Sequence, residues 1–139
     1  MKAAELITKW IAPSAGVVIA NIMFATPMRA VLRARRESHL RDLNPVPWPA
    51  ITGNCIAWIG YSYIKRDWFV FAANEPGFIM GIFYSLTAIN LAPNGKTRDV
   101  LLGTFLALCS VLPCCGVLLA IPLSDWNEGR KTFFWGVLW

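Results

Sequence analysis

The sequence predicts an all-α membrane protein, and three observations carry that expectation. Hydrophobic residues make up 56% of the 139, against roughly 45–50% in a soluble domain. Charged residues make up only 15%, too few to give a soluble fold its polar surface. Four uncharged runs, residues 10–28, 43–64, 76–95 and 100–124, each reach or approach the ~20 residues that a helix needs to cross the hydrocarbon core. Four crossings are therefore expected.

The first run could be mistaken for a secretory signal. No small-residue cleavage pattern precedes Pro27 and Arg29, and the apolar stretch is too long for the core of a signal peptide. It is read as a span. Arg29, Arg33, Arg35, Arg36 and Arg41 follow it, with His39 among them. The net charge of +5 raises nucleic acid as a partner, but these arginines carry no interleaved aromatics, and a short cytoplasmic loop explains them better. Adding Lys96 and Arg98 places seven positive residues on that side, against four on the other: Lys2, Lys9, Lys65 and Arg66. The N-terminus is thus predicted outside or lumenal, in a plasma membrane or endomembrane. Arg130 and Lys131 fall on the outer side and weaken the bias without reversing it.

The second run opens with Pro45, Pro47 and Pro49 and holds Asn54 near its middle. On a helix, Pro47, Asn54, Trp58 and Tyr61 follow the spacing i, i+7, i+11, i+14, which keeps them along one stripe. Proline is tolerated in a first helical turn, so Pro47 is read equally as a helix start or as a hinge. Pro27, near the same end of the first span, favours bending at that level.

Lys65 to Trp68, "KRDW", is short enough to join the second and third spans as an antiparallel hairpin. If the turn is centred near Arg66, Trp58 and Asn74 are each eight residues away. They then lie at similar depth, on the order of 10 Å below the outer interface, and can face one cavity. Two readings fit: an amide beside an indole, which suits the hydroxyls and C–H face of a polyhydroxylated ring, or an interhelical asparagine bond with an interfacial tryptophan.

Cys55, Cys109, Cys114 and Cys115 lie in apolar runs without histidine or carboxylate neighbours, where a thiol behaves as a small hydrophobe. Packing is expected rather than a metal or a disulfide. The sequence holds no phosphate loop, no Ser/His/Asp set and no zincin signature. No enzyme and no cofactor are expected, and His39 is read as a surface residue.

"TPMRAVLRARR", "LNPVPWPAITGNCIAWIGYS" and "FAANEPGFIMGIFYSLTAI" resemble successive parts of the three-helix unit of the SWEET sugar transporters. The likeness covers about residues 21–89. It rests on the proline of the first span, the Pro-aromatic start and Asn-Cys pair of the second, and the N-x-x-G of the third. It implies that Pro27 and Pro47 are inner-side hinge prolines, Asn74 a sugar-binding asparagine and Tyr61 an outer-gate tyrosine. Trp58 matches a pocket-lining position where a smaller residue is common, and Asn54 would line the route.

The implied organisation is a three-helix transporter repeat over residues 1–94, a linker transmembrane helix over 95–124, and the start of a fifth helix over 125–139. "DWNEGRKTFFWGVLW" resembles the segment leading into a second repeat, so the expectation is one repeat, the linker and a fragment, as a natural truncation or as part of a longer chain. The implied function is facilitative transport of a mono- or disaccharide by alternating access. A second unit, from a homo-oligomer or a partner half-transporter, would complete the cavity. Glu75, the carboxylate inside a span, keeps a proton-coupled carrier of amino or organic acids as a rival. A non-transporting regulatory membrane subunit is the other.

Overall fold

A computed structural model describes residues 3–120, with side chains for residues 4–115. Residues 125–139, expected to begin a fifth helix, lie outside the described residues, as do Arg130, Lys131 and residues 121–124 of the fourth expected span. The elements are α1 (Ala3–Leu6), a π-helical turn (Ile7–Ile11), α2 (Ala12–Ala25), α3 (Met28–Glu37), α4 (Pro47–Lys65), α5 (Trp68–Leu91) and α6 (Gly95–Ala120). Every regular element among the described residues is helical.

Among the described residues, three helical stretches are long and apolar enough to cross a membrane: Ala4–Glu37, Trp68–Leu91 and Gly95–Cys115. Of the four expected crossings, α4 is the one outside that group, although its 19 residues would extend ~28 Å. Its prolines, glycines and Asn54 lower its hydropathy. Its placement offsets this, because α4 packs against both α5 and α6 and can turn polar groups toward helices instead of lipid.

The first helical stretch is interrupted twice, each time beside a proline. Pro13 lies in the first turn of α2, just after the π-helical turn, where the Ala12 N–H bonds Ile7 O. At the other end the Thr26 N–H reaches Met23 O at 3.2 Å, and helical bonding resumes with Val31 N–H to Pro27 O at 2.9 Å. Beyond this break Arg29, Arg33, Arg35 and Arg36 occupy a helix and Arg41 lies in the turn that follows, so the segment expected to connect the first two spans is largely helical. Residues 28–37 hold four Arg and two Ala, with one Leu and one Met, all good helix formers. Val31 and Ala34 are buried while Arg29, Arg33, Arg35 and Arg36 are exposed. Ser38, in the left-handed region at φ 54°, ends the helix. Glu37 then pairs with both Arg33 and Arg41.

The hairpin between α4 and α5 turns at Arg66, also left-handed at φ 54°. Asp67 caps α5 by accepting from the Phe69 and Val70 N–H groups at 3.0 and 3.2 Å. The third span was expected over 76–95, but the helix runs Trp68–Leu91. Its start is set by the Asp67 cap, with Pro76 carried in the interior. Its end is set by Pro93, which pushes Ala92 to an extended conformation, ψ 130°.

The order across the bundle is α2, α5, α4, α6: α5 packs on α2 and α4, and α6 packs mainly on α4. Glycines allow the close approaches. A Cβ at Gly77 would meet the Phe24 ring at 2.6 Å, and one at Gly81 would meet Thr52 Oγ1 at 2.6 Å. Near Gly81, Thr52 donates its hydroxyl to Trp48 O at 3.1 Å and stands 3.4 Å from Ser85 Oγ. With the Thr52 proton on Trp48, the Ser85 hydroxyl is the donor of that pair. The main core lies at this end, formed by Val31, Leu40, Trp48, Tyr84, Ala88, Ile89 and Leu101. Tyr84 joins it to α2, donating its hydroxyl to Phe24 O at 2.9 Å.

Candidate functional site

At the opposite end, near Asp67, the helices part around an open-sided cavity of about 380 Å³. Pro13, Gly16 and Val17 of α2 form one wall. Phe69, Val70, Ala73 and Asn74 of α5 form another, with Asp67 at the turn, and Trp58 reaches in from α4. The structure thus brings Trp58 and Asn74, eight residues on either side of the hairpin turn, to one cavity.

Their chemistry differs. Trp58 is 37% exposed and its ring stands edge-on to Tyr61, with centroids 5.5 Å apart, leaving an aromatic surface beside the opening. Asn74 donates Nδ2 to Val70 O one turn back, at 2.8 Å. That bond uses one of the amide's two N–H groups and fixes the side chain against its own helix. Asp67 contributes a carboxylate already engaged as the α5 cap.

The remaining expected site residues are placed elsewhere. Asn54, one turn from Trp58, is not among the residues lining the cavity; its Oδ1 is buried with no partner among the described residues. Tyr61 packs beside Ala57 and Leu112, with Leu108, where α4 meets α6, and touches Trp58 by its ring. Pro27 sits at the junction of α2 and α3, and Pro47 is the first residue of α4. There its missing N–H falls in the first turn and removes no bond from the helix interior. Glu75 is half-buried beside Asn74 on α5. Cys55 is buried, and all four cysteines are free thiols. Exposed His39 accepts the Arg41 N–H on Nδ1 at 2.8 Å.

The α2 wall was missed from sequence, because Pro13, Gly16 and Val17 look like ordinary span residues. Asn21, one turn further along α2, was also passed over. An amide inside an apolar run was the available signal. Asn21 donates to Val17 O at 2.9 Å and to Ala72 O on α5 at 3.2 Å.

The unit of α2, α4 and α5, with α5 in the middle, a break beside a proline at each end of α2 and an amide–indole pocket at one of those ends, has the form of a transporter repeat. The family model described as "Sugar efflux transporter for intercellular exchange" matches residues 13–96, and the chain belongs to this family, the SWEET transporters. It is an integral membrane protein. It is 26% identical over 130 residues to "Bidirectional sugar transporter SWEET1b" of Oryza sativa subsp. indica, and equally to that of subsp. japonica. Each alignment covers 91% of this chain and 49% of the relative, so the chain spans about half the length of these curated relatives. No solved structure matches it significantly.

Proposed function

We infer that this chain supplies one three-helix wall of a facilitative sugar pathway, with residues 1–94 as the repeat and α6 as the linker helix. The observation that carries this is the shared cavity of Trp58 and Asn74, in a chain of a sugar-transporter family. The indole offers a flat surface to the C–H face of a sugar ring, and the Asn74 amide pairs with a hydroxyl. A mono- or disaccharide is the substrate. Asn54 lines the route above or below the bound sugar, and Tyr61 gates the outer end. Pro27 and Pro47 act as hinges at the inner end. A second three-helix unit, from another copy or a partner, closes the other side, because alternating access is the motion of one bundle against another.

The test is counterflow of radiolabelled mono- and disaccharides in proteoliposomes, with the chain alone and with a second repeat. Asn74→Ala should remove most flux while membrane insertion is kept, since loss of the amide leaves the polar groups of the bound sugar unpaired. Pro47→Ala should slow exchange with affinity nearly unchanged. Wild-type flux through Asn74→Ala would end the sugar-pocket reading.

The orientation follows from the charges: α3 and its arginines face the cytoplasm, and the Arg66 turn faces outside or the lumen. With the native cysteines removed, Ser38→Cys should stay unlabelled by an impermeant thiol reagent added to intact cells. Labelling would reverse the orientation.

A further inference from the structure

Pro76 lies in the interior of α5, and a proline there has no N–H to give to the carbonyl four residues earlier. That carbonyl belongs to Ala72. In a span, a carbonyl without a helical partner must find a donor from a neighbouring helix, a side chain or water. Asn21 of α2 provides one: its Nδ2 donates to Ala72 O at 3.2 Å. The same nitrogen donates to Val17 O at 2.9 Å, and an amide NH2 has a proton for each. Its Oδ1 is buried without a partner among the described residues, so the side chain bonds as a donor.

Both bonded carbonyls lie beside the cavity. Val17 is part of its α2 wall, and Ala72 stands between Val70 and the pair Ala73 and Asn74, which line it from α5. We propose that Asn21 is a positioning residue for Asn74, supplying the donor that Pro76 withholds and holding the Asn74 turn of α5 against the α2 wall. Its effect on transport rests on the sugar-pocket reading; the tie between Asn21 and Ala72 does not.

An ordinary interhelical bond is distinguished by restoring the missing proton. In Pro76→Ala, residue 76 regains an N–H for Ala72 O, and the Asn21 donor becomes redundant. Asn21→Leu, which removes the donor at similar bulk, is measured in the native and Pro76→Ala backgrounds. One readout is the thermal midpoint of the full chain in lipid nanodiscs, the other the KM and Vmax of sugar counterflow. In the native background we expect a lower midpoint and a roughly three- to tenfold rise in KM, with Vmax per inserted molecule within about twofold. In Pro76→Ala both effects should fall to less than half.

Equal effects in the two backgrounds overturn the proposal. So does a lower midpoint with KM unchanged in the native background, which is the signature of packing alone. A wild-type chain that carries no sugar with any second repeat removes the pocket reading and the positioning role together. The midpoint cycle then still decides whether Asn21 serves Ala72. If Asn21→Leu fails to insert, Asn21→Ala replaces it, and failure of Pro76→Ala to improve its folding counts against the tie.

Discussion

Around Trp48 and Tyr84 the core side chains are 0–8% exposed, and two rings, a glycine contact and a hydroxyl pair link α4 to α5. Around Trp58 and Asn74 the same two helices, with α2, border an open cavity and leave a tryptophan 37% exposed. The difference lies in which residues face the seam. At the Trp48 end the glycine is small enough for Thr52 to sit within contact of the opposing backbone. At the Asp67 end the wall of α2 is Pro13, Gly16 and Val17, and nothing lies within 4 Å of a Cβ built on Gly16. One end of the bundle is closed by packing, and the other is open.

Substitutions can break or sharpen that contrast. The largest effect is expected at the closed end. Gly81→Val places a Cβ 2.6 Å from Thr52 Oγ1 and 3.3 Å from the Thr52 backbone, and overpacking of this kind costs about 1–3 kcal/mol. A marked fall in thermal midpoint should follow, along with loss of correctly inserted protein; an unchanged midpoint would mean that α4 and α5 separate easily. At the open end Trp58→Ala should leave the midpoint much closer to wild type, because part of the indole is already exposed. It should instead weaken sugar affinity in counterflow and admit a larger sugar, and a variant with unchanged affinity would remove Trp58 from the pathway. Glu75→Gln should do least. In a facilitative carrier the pH profile of uptake stays as in wild type, whereas a profile that flattens in the variant would favour proton coupling.

The contrast was only half legible in the sequence. Trp58 and Asn74 were paired by counting from the Arg66 turn, since a tight antiparallel hairpin fixes depth. Four uncharged runs located four helices, because a span must be long and apolar. Boundaries were less visible: Asp67 sets the start of α5 through two backbone bonds, while the run of uncharged residues begins only after Glu75. The arginines after Pro27 looked like a loop because charge was read as topology, although Ala, Leu and Arg together also favour a helix. Asn21 was hidden for another reason. Its role depends on Ala72 having lost a donor to Pro76, 55 positions further along the chain than Asn21 itself, and no spacing within one helix reveals that.

The break at Pro27 separates α2 from α3, yet α3 is not a free arm. Val31 belongs to the main core with Ala88 and Ile89 of α5, and the Arg35 guanidinium lies 5.1 Å over the Phe83 ring of α5. α2 also lies along α5, through Phe24 at Gly77 and Tyr84. A change of angle at Pro27 therefore cannot swing the basic helix outward without opening the core, so any bending there has to move α2 against an α3 that stays packed on α5.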